Sequence, residues 1–323
     1  MHAVFLQINY NEMKYAKLAI TIFIITLIIG FYLVIPSTIK VSTYKVAASY
    51  ELTILRLINN HDLMSESLSE FKDSTGKTFK LNDIQFELNT ALSNLIQIDI
   101  TTDKLKTKSF VSVHPLNKES AAIYWFFEIK TSWNPIQRWK DYQEAKKIKA
   151  ATAQLLNKLK TFVEQPKNIY GFDIKEVSLK DTLLLVTKFK SGQLPTNEEI
   201  YRGAEQLTKY LAQFGKKGVN NPMVTILDNQ TYDYSVMVGI SIDAIVPETD
   251  KFRLKRMPVN GKMFVANVNG GYATIQNGYS ALRNYLLDSK RPSPAVPFEL
   301  LINDRRLVSD STKWETLIYY PVM

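Results

Sequence analysis

The fold turns on two stretches, EIYRGAEQLTKYLAQF (Glu199 to Phe214) and TIQNGYSALRNYLLDS (Thr274 to Ser289). In the first, Ile200, Ala204, Leu207 and Leu211 share one side of a helix, because apolar residues three and four apart fall on one face. Adding 75 to each number gives Ile275, Tyr279, Leu282 and Leu286, a second stripe of the same spacing. The register continues beyond the helices. Pro222 plus 75 is Pro297, and each opens a short apolar strand, Met223 to Leu227 and Phe298 to Ile302. A further strand follows each, Tyr234 to Ile242 and Trp314 to Val322. The pattern predicts a strand-helix-strand-strand unit twice, over 183–242 and 262–322. One copy has too little core to stand alone, so the two are expected to pair their open edges around a shared pocket.

With 323 residues and 46% hydrophobic content the chain can bury large cores, and two globular domains are expected. The absence of cysteine excludes disulfides, thiol nucleophiles and thiolate zinc sites. Forty Lys and Arg against 31 Asp and Glu give a net charge of +9, spread along the chain rather than blocked. That distribution reads as a solvated surface, and no nucleic-acid partner is expected. The three histidines, His2, His61 and His114, have no ligand spacing, so neither a metal nor a cofactor is predicted.

Leu18 to Ile35 reads LAITIFIITLIIGFYLVI, eighteen residues without a charge, and predicts a single transmembrane helix after a tail of residues 1–17. A cleaved signal peptide is the main rival, but its apolar region is shorter and ends at a small-residue site. A buried core helix is the third reading, weakened because the run is apolar all round. Lys14 and Lys17 before the span and Lys40 and Lys45 after it barely discriminate orientation. If translation begins at Met13, the opening MKYAK favours an extracytoplasmic soluble part.

Between the span and the repeats, strands are expected at Tyr44 to Tyr50, Lys77 to Ala91, Leu95 to Val113 and Ala121 to Ser132, with a short helix at Leu52 to Ile58. A long helix opens near Asn134-Pro135. Its apolar stripe is expected to be Ile136, Trp139, Ile148, Leu155, Leu159 and Phe162, with Arg138, Lys140, Lys146, Lys147, Lys149, Lys158 and Lys160 on the other face, read as a solvated surface with contact to anionic headgroups as the alternative. This order, with Trp133-Asn134-Pro135 leading into the helix, resembles the polyketide-cyclase/START (SRPBCC) helix-grip domain over residues 41–165. The resemblance implies an α+β domain holding an apolar ligand between sheet and helix; the bland alternative is a helix that simply fills the sheet's concave face. Residues 166–182 are expected to be a connector.

Motifs for chemistry are sparse. Gly76-Lys77-Thr78 ends like a phosphate-binding loop, but that loop needs Gly where Phe71 stands. Asn229-Gln230-Thr231 fits a glycosylation sequon, a pattern short enough to arise by chance. Glu299 stands out: its counterpart 75 positions earlier is Val224, and on a strand it shares a face with Leu301. A carboxylate in apolar surroundings needs a cationic or hydroxyl partner, or a proton. The alternative is an edge-strand Glu facing water.

Gly261 to Ala266, Gly270-Gly271-Tyr272, the helix ending Leu282 to Leu286, Pro297-Phe298-Glu299 and the closing Ile318-Tyr319-Tyr320-Pro321-Val322 together resemble the gyrase-inhibitor-like (GyrI-like) small-molecule-binding domain, which also serves AraC- and MerR-type regulators. The resemblance spans about residues 170–323. It implies an α+β domain that takes small, often cationic or amphipathic compounds between its repeats. By position it implies Glu299 as the acidic residue and Tyr272 and Tyr319 as aromatic walls; Tyr279, on the helical stripe, joins them as a ligand-binding candidate. Many members carry an acidic residue where this chain has Leu317, and Glu315, on the same side, could partly replace it. The expectation is a membrane-anchored ligand sensor or sequestering protein. A hydrolase with Glu299 as general base, or a partner-binding protein with filled interiors, are the alternatives.

Overall fold

The computed structural model describes residues 2–71, 78–92, 95–178, 183–218, 221–229, 233–257 and 261–323, with side chains from Met13 onward except at 90–92. Gly76 and Lys77 of the loop-like run, Gln230 and Thr231 of the sequon, and residues 179–182 of the expected connector lie outside the described residues. The chain divides into two units, Met1–Ala48 with Leu57–Thr161, and Ser49–Arg56 with Phe162–Met323.

The first unit opens on α1 (His2–Val34), so the helix also takes in the expected tail. Its Met13–Val34 segment is long and apolar enough to cross a membrane. None of it is buried, which removes the core-helix reading. The Thr21 and Thr26 hydroxyls donate back to the Lys17 and Ile22 carbonyls at 2.9 and 2.8 Å, so neither needs water.

β1 (Thr38–Ala47), α2 (Glu51–Asn59), α3 (His61–Ser67), β2 (Thr78–Leu81), β3 (Ile84–Leu92), β4 (Leu95–Thr101), β5 (Lys106–Pro115), β6 (Ala121–Lys130) and α4 (Pro135–Val163) follow. The strands form one antiparallel sheet in the order β1-β6-β5-β4-β3-β2. Alternation along β6 buries Ile123, Trp125, Phe127 and Ile129, which join Phe79, Phe86 and the inner face of α4 in the core. The Trp125 indole is satisfied there, with Trp125 Nε1 donating to Ser109 Oγ and Ser109 Oγ donating to the Ile98 carbonyl.

α4 corrects its predicted stripe at one end. Ile148, Leu155 and Leu159 are buried as expected, yet Ile136 and Trp139 are 69% and 51% exposed, while Arg138, expected in water, is 4% exposed. The cause is local. Arg138 Nε donates to the Ile35 carbonyl at 2.7 Å and its guanidinium lies 4.6 Å from the Tyr32 ring centre, so the first turn of α4 rotates its charge inward.

The second unit contains α5 (Pro166–Tyr170), β7 (Ile174–Ser178), β8 (Leu183–Ser191), α6 (Asn197–Ala212), β9 (Met223–Asp228), β10 (Tyr234–Ile242), β11 (Arg253–Arg256), β12 (Lys262–Asn269), α7 (Tyr272–Asp288), β13 (Phe298–Leu301) and β14 (Glu315–Val322). All eight strands join one antiparallel sheet, β11-β8-β10-β9-β13-β14-β12-β7. The duplication is therefore literal: β8-α6-β9-β10 is followed by β12-α7-β13-β14, and α7 starts 75 positions after α6. Each copy also lends a leading strand to the other, since β7 pairs with β12 and β11 with β8. Residues 166–178, expected as connector, thus contain α5 and an edge strand of this sheet.

Where the copies meet, Val224 pairs with Glu299, and these are the equivalent positions 75 apart. The local two-fold axis runs through that pair. Equivalent glycines, Gly203 and Gly278, sit where each helix crosses the sheet; a Cβ on Gly278 would come within 2.7 Å of Val268 and 2.8 Å of Ile318, and one on Gly203 within 3.3 Å of Val238. At the end of α7, buried Asp288 accepts two bonds from Arg56, at 2.8 and 2.9 Å, and one from the Tyr170 hydroxyl at 2.7 Å. This network fastens residues 49–56 to the second unit.

Candidate functional site

Glu299 occupies the second position of β13 and is 5% exposed, because period two turns it to the helix-covered face with Leu301. Its partners are internal. Arg305, from the segment between β13 and β14, donates through Nη2 to Glu299 Oε2 at 3.1 Å and to Thr316 Oγ1 at 2.6 Å. The Arg305 guanidinium also lies 5.3 Å from the Trp314 ring centre. Tyr201 on α6 fixes the Arg305 backbone, accepting from its N–H at 3.1 Å while donating to the Asn303 carbonyl at 2.8 Å. Among the described residues, Arg305 Nε has no partner. The Tyr279 hydroxyl stands 3.4 Å from Glu299 Oε1, a long and weak bond.

Burial pushes the Glu299 carboxyl above its ordinary value, against the attraction of Arg305 and the hydrogen bonds from Arg305 and Tyr279. Tyr279 is pushed up by burial first and by the charge of Glu299 second. Tyr272 shifts the same way, by burial and then by Tyr234, Glu299 and Asp228.

Glu299 lines a cavity of about 300 Å³. One wall is a single face of α7, Tyr272, Gln276, Tyr279 and Arg283, at spacings of four, three and four. The facing wall is Ile226, Leu227 and Asp228 of β9 with Tyr234 of β10, and Val296, Pro297 and Glu299 close it. Three of the sequence candidates, Glu299, Tyr272 and Tyr279, therefore meet in one cavity.

Tyr319 does not line it. It pairs across the strands with Phe298 and stacks on that ring at 4.9 Å and 3°, so it lies on the sheet face opposite Glu299. Leu317 and Glu315 alternate onto the same far side, and the exposed Glu315 cannot serve as the second carboxylate. Lining and supporting residues that went unread in the sequence include Gln276, Arg283, Asp228 and Arg305. Gln276 and Arg283 follow from the helical spacing of Tyr272 and Tyr279, and Asp228 from the alternation that places Val224 and Ile226 inward. Arg305 follows from no periodicity, being outside any helix or strand.

A larger groove of about 530 Å³ lies on that far face, lined by Met223, Met237, Met263 and Phe298 among others. Its lining strand residues alternate with those of the helix-covered core, such as Leu185, Val224 and Val238. It is roomier but holds no buried carboxylate or perturbed tyrosine; convergent polar groups in an apolar wall favour the smaller cavity as the site.

No protein-family model and no curated protein matches the chain. Among solved structures it is similar to the EcmrR–DNA complex in an EcmrR–RPo assembly, at 15% identity over 59% of this chain and 72% of that one, with a TM-score of 0.42. It is also similar to SAV2435 bound to tetraphenylphosphonium, at 14% identity over 46% and 93%, TM-score 0.31. A START superfamily protein from Mycobacterium smegmatis is similar at 13% identity over 37% and 98%, TM-score 0.26.

Proposed function

We propose that the chain is a membrane-anchored protein that binds a small amphipathic molecule, cationic or rich in hydrogen-bond donors, in the cavity beside Glu299, and that it senses or sequesters that molecule. The observation that carries this reading is a buried carboxylate that lines a tyrosine-walled cavity, with Oε2 bonded to Arg305 and Oε1 near the hydroxyl of Tyr279, itself a cavity wall. Tyrosine faces attract cations, and a cavity of this size falls at the lower end of small-molecule sites. Arg305 already neutralises much of Glu299, so a singly charged or partly delocalised cation fits better than a compact dication. The same pairing disfavours hydrolysis, because a carboxylate hydrogen-bonded to a guanidinium is a poor general base, and the other carboxylate lining the cavity, Asp228, belongs to the strand wall rather than to the Glu299–Arg305 pair. The partner-protein reading with filled interiors conflicts with a cavity of about 300 Å³.

The full chain in mild detergent tests this. Tetraphenylphosphonium and its neutral analogue triphenylphosphine oxide would be titrated against wild type and Glu299→Gln, with the double variant Glu299→Gln/Arg305→Met as a fold control. The cation is expected to lose affinity in both variants while the neutral compound does not. Equal affinity of wild type and variants for the cation overturns the role of Glu299. The anchor is tested separately: the mature chain is expected to keep residues 13–34 by mass and to resist alkaline carbonate extraction, whereas a chain shortened past residue 35 identifies a signal sequence.

A further inference from the structure

Two tryptophans and an isoleucine stand in the open where α4 begins. Trp133 is 83% exposed, Ile136 69% and Trp139 51%, and Leu33 and Val34, at the end of α1, are 78% and 75% exposed. Single exposed apolar residues are ordinary; a cluster of large ones with two indoles marks a surface that something covers.

The location of the cluster identifies the cover. The charge-free run Leu18 to Ile35 has eighteen residues, which at 1.5 Å each is about 27 Å, close to the roughly 30 Å of bilayer hydrocarbon. Tyr32 to Val34 therefore lie at the hydrocarbon boundary. Trp133 is tied to that level, because the Tyr32 hydroxyl donates to the Trp133 carbonyl. The joint is reinforced by Arg138 on the Ile35 carbonyl at 2.7 Å, Thr131 Oγ1 on the Pro36 carbonyl at 2.9 Å and the Thr131 N–H on the Ser37 carbonyl at 2.9 Å. The loop is rigid too: Asn134 Oδ1 caps α4 through the Ile136 N–H, and Asp141 Oδ2 accepts from the Ser132 N–H.

We infer that Trp133, Ile136 and Trp139 form an interfacial foot that seats the first unit on the lipid headgroup layer around its own membrane helix. Indole rings favour that layer, with an apolar body toward the acyl chains and an N–H toward water. Lys140, next in sequence and solvent-exposed, faces the anionic headgroups. The foot would fix the unit against the bilayer rather than leave it tumbling on a tether. This inference rests on the anchor proposed above.

The full chain, reconstituted into phosphatidylcholine vesicles with one-fifth phosphatidylglycerol, carries the test. Lipids brominated near the headgroup and lipids brominated near the bilayer centre would be used to quench tryptophan emission. Trp125 is buried in the core and Trp314 is half-buried in the second unit, its Nε1 on the Val308 carbonyl, so quenching by the shallow probe is expected to come mainly from Trp133 and Trp139, to exceed quenching by the deep probe, and to be largely lost in Trp133→Phe/Trp139→Phe. Phe keeps the apolar bulk, which guards against misfolding. A chain retained in the vesicles after carbonate washing but unquenched, or quenched equally in wild type and double variant, overturns the foot while leaving the anchor intact. A chain not retained after the wash overturns the anchor and the foot with it.

Discussion

The two repeats of the second unit share a backbone and differ where chemistry happens. Seventy-five positions separate α6 from α7, Gly203 from Gly278 and Val224 from Glu299. At the helix–sheet crossings both copies keep glycine. At the seam the first copy has Ala204 and Val224, and the second has Tyr279 and Glu299, the two groups that meet at 3.4 Å in the cavity. Duplication supplies the scaffold, and divergence of one copy supplies the polar site. A buried carboxylate costs stability, and the second copy offsets that cost with Arg305, from a segment that has no regular structure.

The largest test of that asymmetry sets Glu299→Ala against Val224→Ala. Removing the carboxylate leaves a guanidinium buried beside Thr316 and Trp314 without its counter-charge, expected to cost about 3–5 kcal/mol. The matching change in the first copy removes two methyl groups from a packed site, about 2 kcal/mol. Denaturant midpoints of the full chain measure both. Glu299→Leu/Arg305→Met should recover most of the loss, since replacing both members of a buried pair is often neutral. If Glu299→Ala is no worse than Val224→Ala, the ion pair is not what holds the seam.

How much of this was legible in the sequence follows the same division. Repeats, helices and the burial of Glu299 came from periods of 3.6 and 2, which local sequence carries. The exchange of β7 and β11 between copies is a long-range pairing with no local signature. Tyr319 came from a resemblance rather than from strand alternation, and the pairing of Phe298 with Tyr319 places it across the sheet. β14 also departs from strict repetition: Tyr234 plus 75 is 309, yet the strand opens at Glu315, and the intervening segment brings in Arg305. In the first unit, the start of α4 was misread because helical spacing carries no sign of the long-range contacts that Arg138 makes with Ile35 and Tyr32. Arg138 turns inward to the Ile35 carbonyl and the Tyr32 ring, which leaves Ile136 and Trp139 exposed.

The second comparison concerns the glycines. Ala at Gly278 must push aside Val268 and Ile318 side-chain methyls at under 3.0 Å, whereas Ala at Gly203 meets Val238 at 3.3 Å. Overpacking costs about 1–3 kcal/mol, and Gly to Ala within a helix returns up to about 1 kcal/mol. Gly278→Ala is expected to lower the thermal midpoint and Gly203→Ala to leave it nearly unchanged. Equal effects would mean that the second helix crosses its sheet no more tightly than the first.

Next comes the charge in the cavity. Arg305→Met frees Glu299 Oε2, and lipophilic-cation affinity should rise about tenfold, or about 1.4 kcal/mol. In wild type the folded carboxyl titrates above the ordinary 4.5, so cation affinity should fall as pH is lowered through that window. The contribution of Glu299 to stability runs the opposite way, fully present below its unfolded value and lost as pH rises through the folded one. Titrations at several pH values, with Glu299→Gln as the flat control, separate the two trends; a pH-independent affinity in wild type would remove Glu299 from the binding event.

The smallest effect distinguishes the two helix starts. α6 opens with a complete capping box, Thr196 Oγ1 accepting from the Glu199 N–H and Glu199 Oε2 accepting from the Thr196 N–H at 2.8 Å, which also holds the Glu199 carboxyl below its usual range. α7 opens at Gly271 with no side-chain cap, so its first turn, where Tyr272 stands at the cavity mouth, is held by less. Thr196→Ala should cost about 1 kcal/mol and speed amide exchange in the first turn of α6 to the rate of the first turn of α7. If the α7 turn is instead the more protected one in wild type, packing around Tyr272 rather than capping orders the cavity entrance, and the contrast between the copies at this point reverses.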